Sequence, residues 1–338
     1  MSKKFSLAII DNMIWVINLI LFIIFLLIEP KLILPKNIVS MIYSVSMLGF
    51  LIFAQAIVLI SGNFDMSVGA IAGFSATVVA AFYEFWFPGT PWLILVIISL
   101  ATGTLIGIYN GFMVGKLNIN PFLQTLASHV LFYGLMLIIG GRTMFKLPRQ
   151  YLSFGGGFVG DSILPVSVVA LIIAAIIIHI ILTRTTLGRQ IFAIGSNRIA
   201  AKTCGINVEN TLVKVFAISG FISAVAGIMY TGYMSCVTMD MAQPDLFLTF
   251  AGAILGGVAI AGGSGKISGV FGGIVFLGIM EIGLTMLKTR ATWREPITGI
   301  ILAIAVVLNT YQGRLKGHVL AKESERRIEK ERAEIEAI

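Results

Sequence analysis

Long apolar runs with almost no charge inside them restrict this chain more than any other feature. Between Val166 and Leu182 only Ser167 and His179 are polar, and between Met13 and Ile28 only Asn18 is. About 18 or more apolar residues is the length an α-helix needs to cross a hydrocarbon core of ~30 Å. Ten such spans can be drawn, near residues 10–29, 38–60, 67–87, 92–114, 122–141, 163–183, 211–235, 247–262, 267–287 and 296–312. Backbone in lipid must satisfy its own hydrogen bonds, so each span is expected to be helical and the fold all-α. Composition agrees, because only 12% of residues are charged, against ~25% in soluble domains. A soluble globule of this size is excluded. The expected organisation is a transmembrane bundle over residues 1–312, with a polar loop at about 184–210 and a charged tail at 313–338.

The formal charge is +8, and its distribution sets the orientation. With the N-terminus inside, 16 of the 24 Lys and Arg residues fall in cytoplasmic segments, including Lys3, Lys4, Lys116, Arg184, Arg189, Arg198, Lys202, Lys214, Lys266 and the tail. An even span count then puts both termini in the cytoplasm. The basic, then apolar, N-terminus reads as a retained first span, since no small-residue cleavage site follows it. Cys204 and Cys236 fall on opposite sides, so neither a disulfide nor a metal site is expected.

Two glycine series echo each other. Gly103, Gly107, Gly111 and Gly115 stand every four residues in the fourth span, and Gly265, Gly269 and Gly273 do so at the start of the ninth. Asp65 precedes the third span and Asp245 the eighth. Copies five spans apart would lie in opposite orientation, a 5+5 inverted repeat of the kind that places a solute site between its halves. Helix packing explains the same glycines, because small residues let helix backbones approach in lipid.

Two polar islands carry the candidate chemistry. The first is Ser61-Gly62-Asn63-Phe64-Asp65-Met66-Ser67-Val68-Gly69. A carboxylate near lipid is costly and faces a cavity, a partner or a helix N-terminus. Asn63, Asp65 and Ser67 therefore line a solute pathway, through a broken helix, or else cap the third span. The second island runs from Gly188 and Arg189 through Gly195, Asn197, Ala200 and Ala201 to Gly205. Ser196 or Asn197 can start a short helix and Gly205 can end it. A long loop with its own helix is either functional or an inert connection; its functional reading is a docking element for a cytoplasmic partner. Ionisable residues are sparse within the spans, with Glu281, His129 and His179 the candidates among them, and Asn110, Gln55 and Thr125 are neutral polar ones. Glu281, Asn110 and Thr125 join Asn63, Asp65 and Ser67 as candidate pathway residues; packing explains the neutral ones equally well.

Two nucleotide-like motifs fail in context. Gly155–Gly160 spells a dinucleotide fingerprint without a preceding strand, and Gly262–Lys266 lacks the Ser or Thr that ends a phosphate loop. No nucleotide site is expected in this chain.

From about residue 35 to 312 the chain resembles the permeases of ribose-type monosaccharide ATP-binding-cassette importers. Three stretches carry the resemblance: Gly62 to Gly69; Thr186-Leu187-Gly188-Arg189 through Gly205-Ile206 to Ser219-Gly220 and Ala226-Gly227; and Leu255-Gly256-Gly257 with Gly262 to Gly265 and Gly269. It departs from the family pattern at Asn63-Phe64, Tyr133-Gly134 and Glu281-Ile282. The resemblance implies a transport subunit rather than an enzyme, working in the inner membrane. It implies a second permease protomer, a cytoplasmic ATPase that holds the ATP, and an extracytoplasmic solute-binding protein. It also implies ATPase coupling through Gly188, Arg189, Gly195, Asn197, Ala200, Ala201 and Gly205. Nucleic acid is not an expected partner. The alternative is an ion-coupled secondary transporter of a small polar solute, which would need protonatable groups near the midplane.

Overall fold

The computed structural model describes residues 12–242 and 246–290, with isolated positions between 292 and 307. Most of the tenth expected span, the charged tail and Asp245 lie outside the described residues.

The long helices follow the apolar runs: α1 (Met13–Ile28), α2 (Pro35–Ile60), α3 (Val68–Ala81), α4 (Trp92–Gly115), α5 (Pro121–Gly140), α7 (Val166–Arg184), α10 (Val208–Met234) and α12 (Ile267–Met286). The connections hold the shorter helices α6 (Arg149–Gly156), α8 (Thr186–Ser196) and α9 (Arg198–Thr203), and α11 (Leu246–Leu255) follows α10. A π-helical turn, Phe82–Trp86, extends α3. Seven helices among the described residues are long and apolar enough to cross a membrane, and α1 and α11 are apolar but shorter.

The eighth of the ten expected spans is shortened. That span was expected over 247–262, but α11 stops at Leu255. Gly257 there adopts φ +82°, a left-handed conformation that costs glycine little and ends a helix. A loop then runs to α12.

Helix α2 is the centre of the bundle. Every residue from Val45 to Ile60 is buried, as expected of a helix that is apolar all round. Helix α7 lies outside, with Ile172, Ile173, Ile176, Ile177 and Ile180 exposed as a lipid-facing surface.

Helices α4 and α10 pack antiparallel through the glycine series. A Cβ on Gly103 would lie 2.5 Å from the Gly220 carbonyl oxygen, and one on Gly111 would lie 2.7 Å from Cα of Val213. One on Gly107 would strike the Phe216 carbonyl. The second series does the same work, since Gly269 and Gly273 of α12 abut Gly256, just past α11, and Gly252 of α11. The loop glycines Gly155 and Gly156 sit in α6 and press on the α10 backbone at Met229 and Gly232, which accounts for the fingerprint-like run.

Charge is divided between the two ends. One end gathers the loops after α2, α4, α7 and α11, with Lys116, Arg184, Arg189, Arg198, Lys202 and Lys266. At the other, Arg142 pairs with Glu84 at 2.7 Å, and Met144 bridges to Val237.

Candidate functional site

The chain between α2 and α3 bends back inside the bundle. Gly62, at φ +76°, makes the turn, and Asn63, Asp65, Met66 and Ser67 are buried beyond it. Asp65 accepts three hydrogen bonds. The Ser67 amide and hydroxyl donate to Oδ1 at 2.9 and 2.5 Å, and the Ser219 hydroxyl of α10 donates to Oδ2 at 3.0 Å. Ser67 in turn accepts from Asn110 Nδ2 of α4 at 2.9 Å. Asn110 Oδ1 accepts from Ser128 of α5 at 2.5 Å and from Gln124 at 3.4 Å. Thr125 of α5 accepts from the Met66 amide at 2.9 Å and donates to the Pro121 carbonyl. The bend, α4, α5 and α10 are thereby joined by one buried polar network. Ser67 occupies the N-cap position of α3 but forms no side-chain cap bond. The simple capping reading of Asp65 and Ser67 is replaced by cross-linking between helices.

Ser219 stands 11 residues into α10, which at 1.5 Å per residue is about 17 Å from its start. Helix α3 therefore begins within the bundle, where irregular backbone is tolerated only with protein or water around it.

The polar loop forms two helices, not one. Helix α8 was missed; its N-cap Thr185 accepts from the Gly188 amide at 3.2 Å. Helix α9 is the expected short helix, capped by Asn197 Oδ1 accepting from the Ala200 amide at 2.9 Å, and it stops before Gly205. Of its small residues only Ala201 is buried, while Ala200 is exposed and Ile199 protrudes at 77% exposure. A cleft of about 480 Å³ beside α9 is lined by Lys116, Asn118, Arg198, Ile199, Lys202 and Glu209. Lys202 pairs with Glu209 across it at 2.7 Å.

The end of α8 meets both helix breaks. The Gly263 amide donates to the Ile60 carbonyl at 2.9 Å. A Cβ on Gly62 would lie 3.3 Å from Cα of Gly195, and one on Gly262 would lie 2.5 Å from Cα of Gly62. A Cβ on Gly195 would strike the Ile60 carbonyl and the Gly263 amide. Two loops and the end of α8 thus touch backbone to backbone.

Residues 37–306 match the family model for the branched-chain amino acid transport system / permease component. The chain belongs to that family. This permease is 31% identical to the ribose import permease protein of Bacillus subtilis, over 86% of the chain and 89% of that relative. It is 28% identical to the galactose/methyl galactoside import permease protein of Haemophilus influenzae, over 91% and 96%. It is 31% identical to the L-arabinose transport system permease protein of Escherichia coli, over 81% and 82%. No solved structure matches it.

Within the permease, Asp65, Ser67, Asn110 and Thr125 converge as one site. Asn63 does not join it, because its amide turns back to the Ser61 carbonyl and hydroxyl, both at 2.9 Å. Glu281 is exposed on α12 and within electrostatic reach of Tyr233, near the far end of α10. That is 14 residues from Ser219, or about 21 Å of helix. Gln124 and Ser128 were not singled out in the sequence, and Ser219 was named only among the residues of the family resemblance, not as a pathway residue. Gln124 and Ser128 stand one turn apart on the helix that bears Thr125, a spacing that was visible in the sequence.

Proposed function

We propose that this chain is the membrane-spanning subunit of an ATP-driven importer that carries a monosaccharide or a related small polar solute into the cytoplasm. The observation that carries the reading is the set of relatives named for ribose, galactose and arabinose, each aligned over most of both chains. The geometry supports it. A polar network inside an apolar bundle fits a solute path, because buried polar groups in membrane helices are costly to keep. The pathway residues are Asp65, Ser67, Asn110 and Thr125, with Asn63 and Glu281 towards its two ends.

The energy comes from elsewhere. ATP is bound by a separate cytoplasmic ATPase, which docks on α8 and α9 and acts through Gly188, Arg189, Gly195, Asn197, Ala200, Ala201 and Gly205. A second permease protomer completes the path, and an extracytoplasmic binding protein delivers the solute. The subunit sits in the inner membrane with both termini and the 313–338 tail in the cytoplasm, and α3–α4 correspond to α11–α12 in a 5+5 inverted repeat.

The test is reconstitution in vesicles with the cognate ATPase and binding protein. Uptake of labelled ribose, fructose, galactose, arabinose and xylose is measured with and without ATP. Deletion of Ala200–Gly205 should abolish ATP-dependent uptake while the protein remains folded and in the membrane. Full uptake by that variant, or solute accumulation by the chain alone under a proton gradient, would refute the reading.

A further inference from the structure

The outer face of α5 is mostly apolar, with Leu123, Leu126, Val130, Leu131 and Ile138 exposed as lipid would allow. One edge of it differs. His129 and Tyr133 stand there, both partly exposed, with their rings stacked at 6.3 Å and 20° between planes. They are the ninth and thirteenth of the 20 residues of α5. At 1.5 Å per residue they lie about 12 and 18 Å from its start, and so straddle the middle of a hydrocarbon core of ~30 Å. Tyrosine belongs at the two membrane interfaces rather than at the centre. An imidazole at that depth faces a partner or a water-filled cavity, not lipid.

This edge is tied to the polar network. Thr125, His129 and Tyr133 follow one another at four-residue spacing, so they form one stripe that turns about 40° at each step. Thr125 is fully buried and accepts from the Met66 amide at the bend. His129 is half-buried beside the Met66 backbone, and its Nδ1 is enclosed without a hydrogen-bond partner among the described residues. Tyr133, one turn on, reaches the surface. The stripe therefore leads from the α2–α3 bend, at mid-depth, to the outside of the bundle.

We propose that His129 and Tyr133 are solute-contact residues on the wall of a cleft that the second permease protomer closes. The sugar then passes along the outer edge of α5, and the buried network backs that wall. The chemistry suits a monosaccharide. The Tyr133 ring offers a flat face to the C–H side of a sugar, and its hydroxyl and the imidazole can donate to or accept from sugar hydroxyls. This rests on the permease reading above, with its second protomer.

The experiment uses the same vesicles, with ATPase, binding protein and ATP present. In a Cys204→Ser, Cys236→Ser background, Tyr133→Cys and Leu131→Cys are treated with a small water-soluble methanethiosulfonate. Leu131 is exposed at the same depth but about 160° round the helix. Tyr133→Cys should be labelled during turnover, and more slowly when a transported sugar is supplied; Leu131→Cys should not be labelled. A Tyr133→Cys that stays unlabelled, or labels no faster than Leu131→Cys, overturns the inference by making this edge a dry contact or a lipid face. Uptake of the five labelled monosaccharides by Tyr133→Leu and His129→Leu should fall roughly fivefold to tenfold, the size of one aromatic contact. Their thermal midpoints in detergent should stay near wild type. Tyr133→Phe should recover part of the uptake and alter the ranking of the sugars. Wild-type uptake by Tyr133→Leu overturns the inference and leaves the permease reading intact. A lowered midpoint with uptake reduced only in proportion to folded protein overturns it too, by making the pair structural. A wild-type assembly that carries none of the sugars with ATP overturns both.

Discussion

At the scale of single residues, the buried carboxylate decides most. Asp65 is 1% exposed and accepts from Ser67 twice and from Ser219 once. Removing an acceptor from buried donors costs about 1–3 kcal/mol. Asp65→Ala should therefore lower the thermal midpoint of the detergent-solubilised permease by several degrees. Ser219→Ala removes one donor while the carboxylate keeps two, so it should cost about 1 kcal/mol, the net worth of one such bond. A thermal-shift series ordered wild type, Ser219→Ala, Asp65→Ala checks this, and an Asp65→Ala protein as stable as wild type would contradict it. The sequence singled out Asp65 because a lone acid beside two apolar runs has few cheap explanations. It did not reveal that Ser219 holds Asp65, because a serine inside a helix has the same local pattern whether it faces a partner 154 residues away or lipid.

At the scale of elements, the glycine contacts separate packing from mere composition. Gly107 and Gly134 both lie inside apolar helices, yet only Gly107 meets a neighbour. Its Cβ would strike Phe216, whereas nothing lies within 4 Å of one on Gly134. Gly107→Val should force α4 and α10 apart, at a cost of about 1–3 kcal/mol or more. Gly134→Ala should be neutral or stabilising by up to about 1 kcal/mol. Yield of monodisperse protein and thermal midpoint measure both; equal behaviour of the pair would sink the packing argument. Most helix ends were legible because prolines and polar breaks bound the apolar runs, as at Pro35, Pro121 and Gly140. The shortened α11 was not, since hydropathy averages over residues 256–262 and does not register a left-handed glycine. Helices α6 and α8 were missed because they are amphipathic segments within loops, held by packing rather than by an apolar run.

At the scale of the whole molecule, the basic end and the exposed end of α9 coincide. Cys204 is exposed just past α9, and Cys236 lies beyond the opposite end of α10. In a Cys236→Ser background, a membrane-impermeant maleimide should label Cys204 in inside-out vesicles and not in intact spheroplasts. Labelling from outside would reverse the orientation and remove the ATPase from α8 and α9. The surface of α7 from Ile172 to Ile177, apolar and exposed, needs no such polarity, and it shows why hydropathy identifies a membrane protein so much more readily than it locates a solute.

Where Gly62, Gly195 and Gly262 come together there is no cushion of side chains to absorb a small displacement. Close-packed main chain behaves as a solid joint, so a shift of α8 by even a fraction of an ångström must be accommodated by the bends that begin α3 and end α11. A single methyl group at Gly195 would act as a shim, holding these parts at a fixed distance whatever the helices around them do.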